Sequence, residues 1–124
     1  MPDAKYLNSD SSEKYSFAQD YPDVMKAALR EMHRQVGDLE IKDGLAIRGL
    51  LIRHLVMPNN VAGSIDIIDF LANEVSKNTF VNIMEQYRPT FKAHNFPEIN
   101  RPITHQEFHT VYDYAKKRGL RLAD

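Results

Sequence analysis

One segment constrains the fold of this chain more than any other, namely the run LLIRHLV at positions 50–56. The run is apolar at both odd and even positions, whereas a strand with one face in water alternates apolar and polar residues. Strands that are apolar on both faces are typical of the middle of a parallel sheet that is covered on each side. Because the sequence PNN at 58–60 ends the run sharply, we predict a central parallel strand within residues 45–57.

A helix is predicted after the polar stretch at 8–13, which has the composition of a loop. It begins near Tyr21 and Pro22, because proline is tolerated in the first turn of a helix, and Gly37 is suited to cap its end. Its predicted buried stripe consists of Val24, Ala28, Leu29, Met32 and Val36.

Two further segments have a helical period. The second helix follows Gly63, with Ser64 as its expected N-cap. The third opens with the capping box THQE at 104–107 and ends at Gly119. The predicted core residues of these two helices are Ile67, Ile68, Leu71 and Val75, and Phe108, Val111, Tyr112 and Ala115.

Strands are predicted before each helix. Residues 1–6 have the pattern of the tail of a strand that begins before the chain does, residues 79–84 form another strand, and 120–122 add a short final one. The order β-α-β-α-β-α indicates one α/β domain over residues 1–124, with a parallel sheet and right-handed crossovers. Three strands leave two unprotected sheet edges, so we expect half of a larger barrel or sheet, or a homo-oligomer formed through those edges.

Composition excludes several classes of function. The chain has no cysteine, so it forms no disulfide and offers no thiolate nucleophile and no cysteine ligand for zinc or an iron–sulfur cluster. The net charge of −1 gives no electrostatic case for binding nucleic acid or an anionic membrane. No apolar stretch approaches the length of a membrane span, and the N-terminus has no hydrophobic signal core, so the expected location is cytoplasmic.

Polar residues near the predicted strand ends are the candidates for a binding site, because ligands of parallel α/β proteins bind there. Asp3 and Lys5 are two apart on a strand and share one face. Such a pair could hold a zwitterion, with Lys5 taking a carboxylate and Asp3 an ammonium group. A local structural ion pair explains the same spacing.

Arg53 and His54 interrupt the apolar run on opposite faces. A guanidinium in that position needs a carboxylate, a carbonyl or a ligand, because an unpaired buried charge is costly. An internal salt bridge and a ligand contact are both open for Arg53. His54 points towards the helices, where a hydrogen-bonded core histidine is expected.

His105 and His109 are four residues apart on the third helix, with Asp113 one turn further on. This spacing can bind a metal ion such as zinc. However, the three side chains lie off the predicted core face, so a solvated surface is favoured and no metal ligand is assigned.

Three motifs together resemble the C-terminal portion of radical S-adenosylmethionine (radical SAM) proteins related to the pyruvate formate-lyase activating enzyme: MPDAKY at 1–6, RGLLIRHLVMPNNVAG at 48–63 and VNIMEQYRP at 81–89. The resemblance implies a parallel half-barrel, the C-terminal half of a partial (β/α)6 TIM-like barrel with strands four to six. It also implies that Asp3 and Lys5 contact the methionine moiety of SAM and that Arg53 contributes to the same site. At the end of strand six, where activating enzymes often carry a histidine, this chain has Gln86 and Tyr87.

The family's cluster-binding loop, Cys-x-x-x-Cys-x-x-Cys, and its glycine-rich segment are not in this sequence. The resemblance therefore implies that SAM and a [4Fe–4S] cluster belong to a full-length parent, an oxidoreductase that acts on a glycyl-radical enzyme or a small molecule. The expected partner is the missing N-terminal barrel half. Alone, the chain is expected to bind neither cofactor tightly and to be inactive, and no catalytic residue is assigned. The alternative is a non-catalytic α/β binding module that self-associates.

Overall fold

The computed structural model describes residues 1–123 and shows a mixed α/β domain. Its helices are α1 (Ser9–Ser16), α2 (Tyr21–Val36), α3 (Ser64–Phe70) and α4 (His105–Lys117). Its strands are β1 (Glu40–Lys42), β2 (Leu45–Arg48), β3 (Leu51–Leu55), β4 (Phe80–Met84) and β5 (Arg121–Leu122). A π-helical turn, Leu71–Val75, continues α3, and short 3₁₀ turns interrupt the loops.

The central sheet is parallel, in the order β3-β4-β5. The N-terminal segment pairs with the free edge of β3, because the Ala4 amide donates to the Arg53 carbonyl at 2.8 Å and the Arg53 amide donates to the Pro2 carbonyl at 2.9 Å. The predicted first strand is thus present as a single parallel bridge, Asp3 to Arg53. The three-stranded sheet in residues 1–123 does not close into a barrel.

The two faces of the sheet differ in burial. Ile52 and His54 of β3 and Val81 and Ile83 of β4 are buried beneath the helices. The opposite side is only partly covered, and we call it the open face; it consists of Asp3, Lys5, Leu51, Arg53, Leu55, Phe80, Asn82 and Met84. The prediction that the central strand is buried on both faces is therefore wrong for residues 1–123, because the helices cover only one side.

Helix α2 has the predicted bounds, with Pro22 in the first turn and a cap at Gly37. Its predicted stripe is correct for Leu29, which is buried, but wrong for Val24, Met32 and Val36, which are exposed while Met25 is buried. Apolar residues occupy two neighbouring stripes of this helix, and periodicity alone does not decide which stripe meets the sheet.

The stretch at 8–13 is not a loop. Asn8 caps α1 by accepting a hydrogen bond from the Ser11 amide at 2.7 Å, and the helix ends at Phe17. A polar segment with a good cap can be helical where its apolar neighbours, here Tyr15, supply the packing.

The predicted strand over 45–57 is divided at Gly49. The part before Gly49 pairs with β1 in an antiparallel hairpin whose turn is Asp43-Gly44, and both strands of the hairpin are exposed. Gly49 itself has φ +100°, and a Cβ there would lie 2.1 Å from the Asp38 carbonyl oxygen. The glycine permits this contact and re-directs the chain into β3.

The capping box of α4 is confirmed. The Thr104 hydroxyl accepts from the Glu107 amide at 3.1 Å, and the Glu107 carboxylate accepts from the Thr104 amide at 2.8 Å. In α3 the N-cap is Gly63, not Ser64, whose side chain turns inward and is buried. No helix within residues 1–123 combines the length and the apolar character needed to cross a membrane.

Candidate functional site

Three of the predicted site residues meet on the open face. The Arg53 Nε donates to Asp3 Oδ1 at 2.6 Å, and the Lys5 Nζ lies 3.6 Å from Asp3 Oδ2. We call this group the Asp3 cluster. The expectation that Arg53 finds a partner is confirmed, and the partner is a carboxylate of this chain. An internal ion pair is therefore present, and it lies where the resemblance places a ligand contact.

The sequence builds the Asp3 cluster from strand alternation and register. Ala4 and Tyr6 point towards the helices and are buried, so Asp3 and Lys5 point to the open face. Helix α2 fixes this segment through Tyr21, whose hydroxyl accepts from the Lys5 amide at 2.9 Å and donates to the Asp3 carbonyl at 3.2 Å. Burial raises the pKa of Tyr21, so the phenol stays protonated and able to donate.

The Asp3 cluster carries two cations and one carboxylate, and it is partly open to solvent. The side chains of Lys5 and Arg53 are 56% and 37% exposed, and that of Asp3 is 28% exposed. One net positive charge therefore remains for an incoming carboxylate, while Asp3 can accept from an ammonium group. This set of groups fits the zwitterionic methionine moiety of SAM. It does not fit a [4Fe–4S] cluster, for which the chain has no thiolate.

Asn82 extends the row, and the sequence analysis missed it. In the parallel register Asn82 pairs with Arg53, which in turn pairs with Asp3, so the three residues lie side by side on neighbouring strands. The available signal was an amide in an otherwise apolar strand, FVNIM.

Gln86 and Tyr87 are not joined to the Asp3 cluster by any hydrogen bond or ion pair among residues 1–123. Gln86 is exposed and borders a cavity next to α4. The hydroxyl of Tyr87 donates to the Ile99 carbonyl at 2.8 Å, in a separate aromatic region. The structure thus brings together three of the five predicted cofactor-binding residues.

His54 is a hydrogen-bonded core histidine, as predicted. Its Nδ1 lies 2.7 Å from the Ala4 carbonyl oxygen and its Nε2 lies 2.7 Å from the Ser64 hydroxyl. A carbonyl only accepts, so Nδ1 carries the proton and Ser64 donates to Nε2. Burial lowers the pKa of His54 and holds the ring neutral.

The side chains of His105, His109 and Asp113 are exposed on α4. The two imidazole rings stack with their centroids 6.3 Å apart. Across residues 1–123, no three side chains of the metal-ligating types are grouped closely enough to hold a metal ion.

A second polar group lies at the carboxyl end of β3, and it centres on Glu107. The carboxylate accepts two hydrogen bonds of 2.8 Å from Arg101 and one of 2.8 Å from the Asn59 amide, in addition to the capping contact. These donors lower the pKa of Glu107 to about 2, and the hydrogen bonds from Arg101 have the largest effect. The group joins the turn after β3, the long loop and α4, and it is structural.

Comparison with known proteins finds a relative of this chain. The chain is 34% identical over 123 residues to the uncharacterized protein MJ0674 of Methanocaldococcus jannaschii. The alignment covers 98% of this chain and 32% of that protein, so the chain spans about a third of the length of the relative. No family model matches the sequence, and no solved structure matches it.

Proposed function

We propose that this chain is the C-terminal portion of a radical SAM protein resembling the pyruvate formate-lyase activating enzyme, and that the Asp3 cluster holds the methionine moiety of SAM. The observation that carries the proposal is the meeting of Asp3, Lys5 and Arg53 on one open sheet face. The three residues come from two segments 50 positions apart, and the parallel register aligns them.

The exposed character of the open face supports a half-barrel. Leu51, Leu55, Phe80 and Met84 are only partly buried there, while the other face of the same strands is closed by helices. In a (β/α)6 barrel the helices lie outside and the uncovered face of the strands lines the interior. The relative is about three times as long as the aligned segment, which leaves room for the other strands.

The roles of the residues follow from their charges. Lys5 would donate to the SAM carboxylate and Asp3 would accept from the SAM ammonium group, with Arg53 holding the Asp3 carboxylate in place. The parent's other half would hold the cluster. The parent would then abstract hydrogen from a protein glycine or a small molecule, and this chain alone would be inactive.

The test uses the full-length parent, loaded anaerobically with iron and sulfide and assayed for 5′-deoxyadenosine with dithionite. We expect SAM cleavage, and we expect Asp3→Asn and Arg53→Gln each to weaken SAM binding about tenfold, the loss typical of a charged hydrogen bond. Glu40→Gln, an exposed acid in the hairpin, is the matched control and should leave binding unchanged. A cluster-loaded parent that does not cleave SAM rules the proposal out.

The second candidate is a non-catalytic module that self-associates. Exposed apolar side chains on α2 and the hairpin favour it, namely Val24, Met32, Val36, Ile41, Leu45 and Ile47. Light scattering separates the two: a well-folded dimer that does not dissociate on dilution supports the module, and a monomer excludes it.

A further inference from the structure

A cavity of about 500 Å³ lies beyond the carboxyl ends of the parallel strands. Tyr6, Met57 and Tyr87 line it, each just past the end of a sheet segment. This volume is within the range of small-molecule sites, and the position is the one where parallel sheets bind ligands. We call it the aromatic cavity, because six aromatic side chains surround it: Tyr6, Tyr15, Phe17, Tyr87, Phe91 and Phe96.

Two of these rings lie at the exposed rim of the cavity. Phe17 and Phe91 have φ of 54° and 52°, in the left-handed region that bulky residues rarely adopt. Their side chains are 89% and 88% exposed. At Phe17 this conformation ends α1, where the Phe17 amide donates to the Glu13 carbonyl at 3.0 Å. A ligand that lies against the two rings would cover apolar surface that water now contacts.

The charges at the aromatic cavity have one sign. Arg88 and Lys92 line it, no Asp or Glu does, and neither cation forms a salt bridge within residues 1–123. Glu98, which is bonded to the lining residue Tyr15, already accepts from Lys14 and from the Tyr15 hydroxyl, which donates at 2.6 Å. Burial raises the pKa of Tyr87, so its ring remains an uncharged wall. The cavity therefore offers flat apolar surfaces with two unneutralised cations.

We propose that the aromatic cavity binds a small molecule that combines a flat unsaturated ring with an anionic group, such as an aromatic carboxylate or a nucleoside monophosphate. The ring would lie against the Phe17 and Phe91 side, and the anion would be held by Arg88 and Lys92. This site is separate from the Asp3 cluster, and it does not depend on the SAM proposal. SAM carries a net positive charge, so two cations disfavour it here.

The experiment is a titration of the ¹⁵N-labelled chain followed by amide chemical shifts, with four probes. Indole-3-acetate is compared with neutral indole-3-acetamide, and adenosine monophosphate with neutral adenosine. We expect shifts confined to residues near 6, 15–17, 57 and 87–99, with at least about fivefold tighter binding of the anion in one pair or both. The pair that responds identifies the source of the ligand.

Matched variants test the cations and the aromatic rings of the cavity separately. The exposed double variant Arg88→Gln/Lys92→Gln should weaken anion binding about fivefold and leave the neutral analogue unchanged, and Phe17→Ala should weaken the binding of both. Lys116→Gln/Lys117→Gln on α4 removes the same charge elsewhere and should have no effect. The proposal is overturned if no probe binds, if neutral and charged probes bind equally, or if the shifts fall on the hairpin.

Discussion

Ser64 donates a hydrogen bond of 2.7 Å to Nε2 of His54, and neither side chain has any exposed surface. With the Ala4 contact at Nδ1, the imidazole joins α3, β3 and the N-terminal segment. Both ring nitrogens are used by the neutral form. A protonated ring would place two donors against one carbonyl and one hydroxyl, in a site closed to water.

Stability should therefore fall on acidification below pH 6.5. Burial lowers the pKa of His54 from 6.5 in the folded state, so between the two pKa values the unfolded chain binds a proton that the folded chain does not. The free energy of unfolding then drops by at most about 1.4 kcal/mol per pH unit as pH falls. Urea unfolding at pH 7.5 and pH 5.0 measures the drop.

His54→Gln should be less stable at neutral pH and should lose this part of the pH dependence. His109→Gln, on the exposed side of α4, should keep it. The carboxylates with lowered pKa, such as Glu98 and Glu107, lose their stabilising effect mainly below pH 4.5, and His54→Gln retains them, so the comparison of wild type with this variant isolates the imidazole. If the free energy of unfolding fell equally between pH 7.5 and pH 5.0 in the wild type and in His54→Gln, the imidazole would not control the acid response.

Glu107→Ala should destabilise the chain by about 2 kcal/mol, because it removes the helix cap and the ion pair with Arg101 together. Because the pKa of Glu107 is lowered in the folded state, its stabilisation is complete above pH 4.5 and is lost as pH falls towards 2. The gap between variant and wild type should thus narrow on acidification. Glu31→Ala is the control, because Glu31 contacts only its own helix, and it should change the unfolding free energy little.

Gly49→Ala should lower the free energy of unfolding by roughly 3 kcal/mol or more, because an alanine there would have a left-handed backbone and would collide with the Asp38 carbonyl. Gly44→Ala in the hairpin turn also has a positive φ, but nothing lies within 4 Å of its Cβ position. That variant should cost only about 1–2 kcal/mol. Thermal unfolding of both compares them, and similar losses would contradict the close contact at Gly49.

Leu29→Ala should cost about 2–5 kcal/mol, because Leu29 is 1% exposed in the main core. Met32→Ala, on the stripe that periodicity favours, should cost less than about 1 kcal/mol, because Met32 is 40% exposed. The two variants lie on one helix and have a similar loss of volume. If Met32→Ala were the more damaging variant, α2 would pack on its other face.

The elements that the sequence predicted well have strong local signals. The bounds of α2 follow from Pro22 and Gly37, and the start of α4 follows from a reciprocal cap. The errors lie where a tertiary contact decides the structure. Nothing local shows that Gly49 packs on Asp38, so the strand was extended through it, and nothing local selects Leu29 over Met32 as the buried residue.

The candidate site, like the fold, was predicted where local signals decide and missed where tertiary contacts decide. The spacing of Asp3 and Lys5 gave their shared face, and the cost of a buried guanidinium required a partner for Arg53. That the partner is Asp3 depends on parallel register between segments 50 residues apart, which spacing cannot provide. The aromatic cavity was missed because its residues come from α1, the strand ends and the long loop.

The hairpin leaves the domain and returns to it at almost the same point. Asp38 and Leu50 are bridged, and every residue from 40 to 48 is exposed. The chain from α2 to β3 is therefore joined at the base of the hairpin, without the hairpin's help. At this base Leu39 is buried and its carbonyl accepts from Arg121. A longer, shorter or deleted hairpin should therefore leave the rest of the domain unaltered, which makes this hairpin the natural place for an engineered insertion.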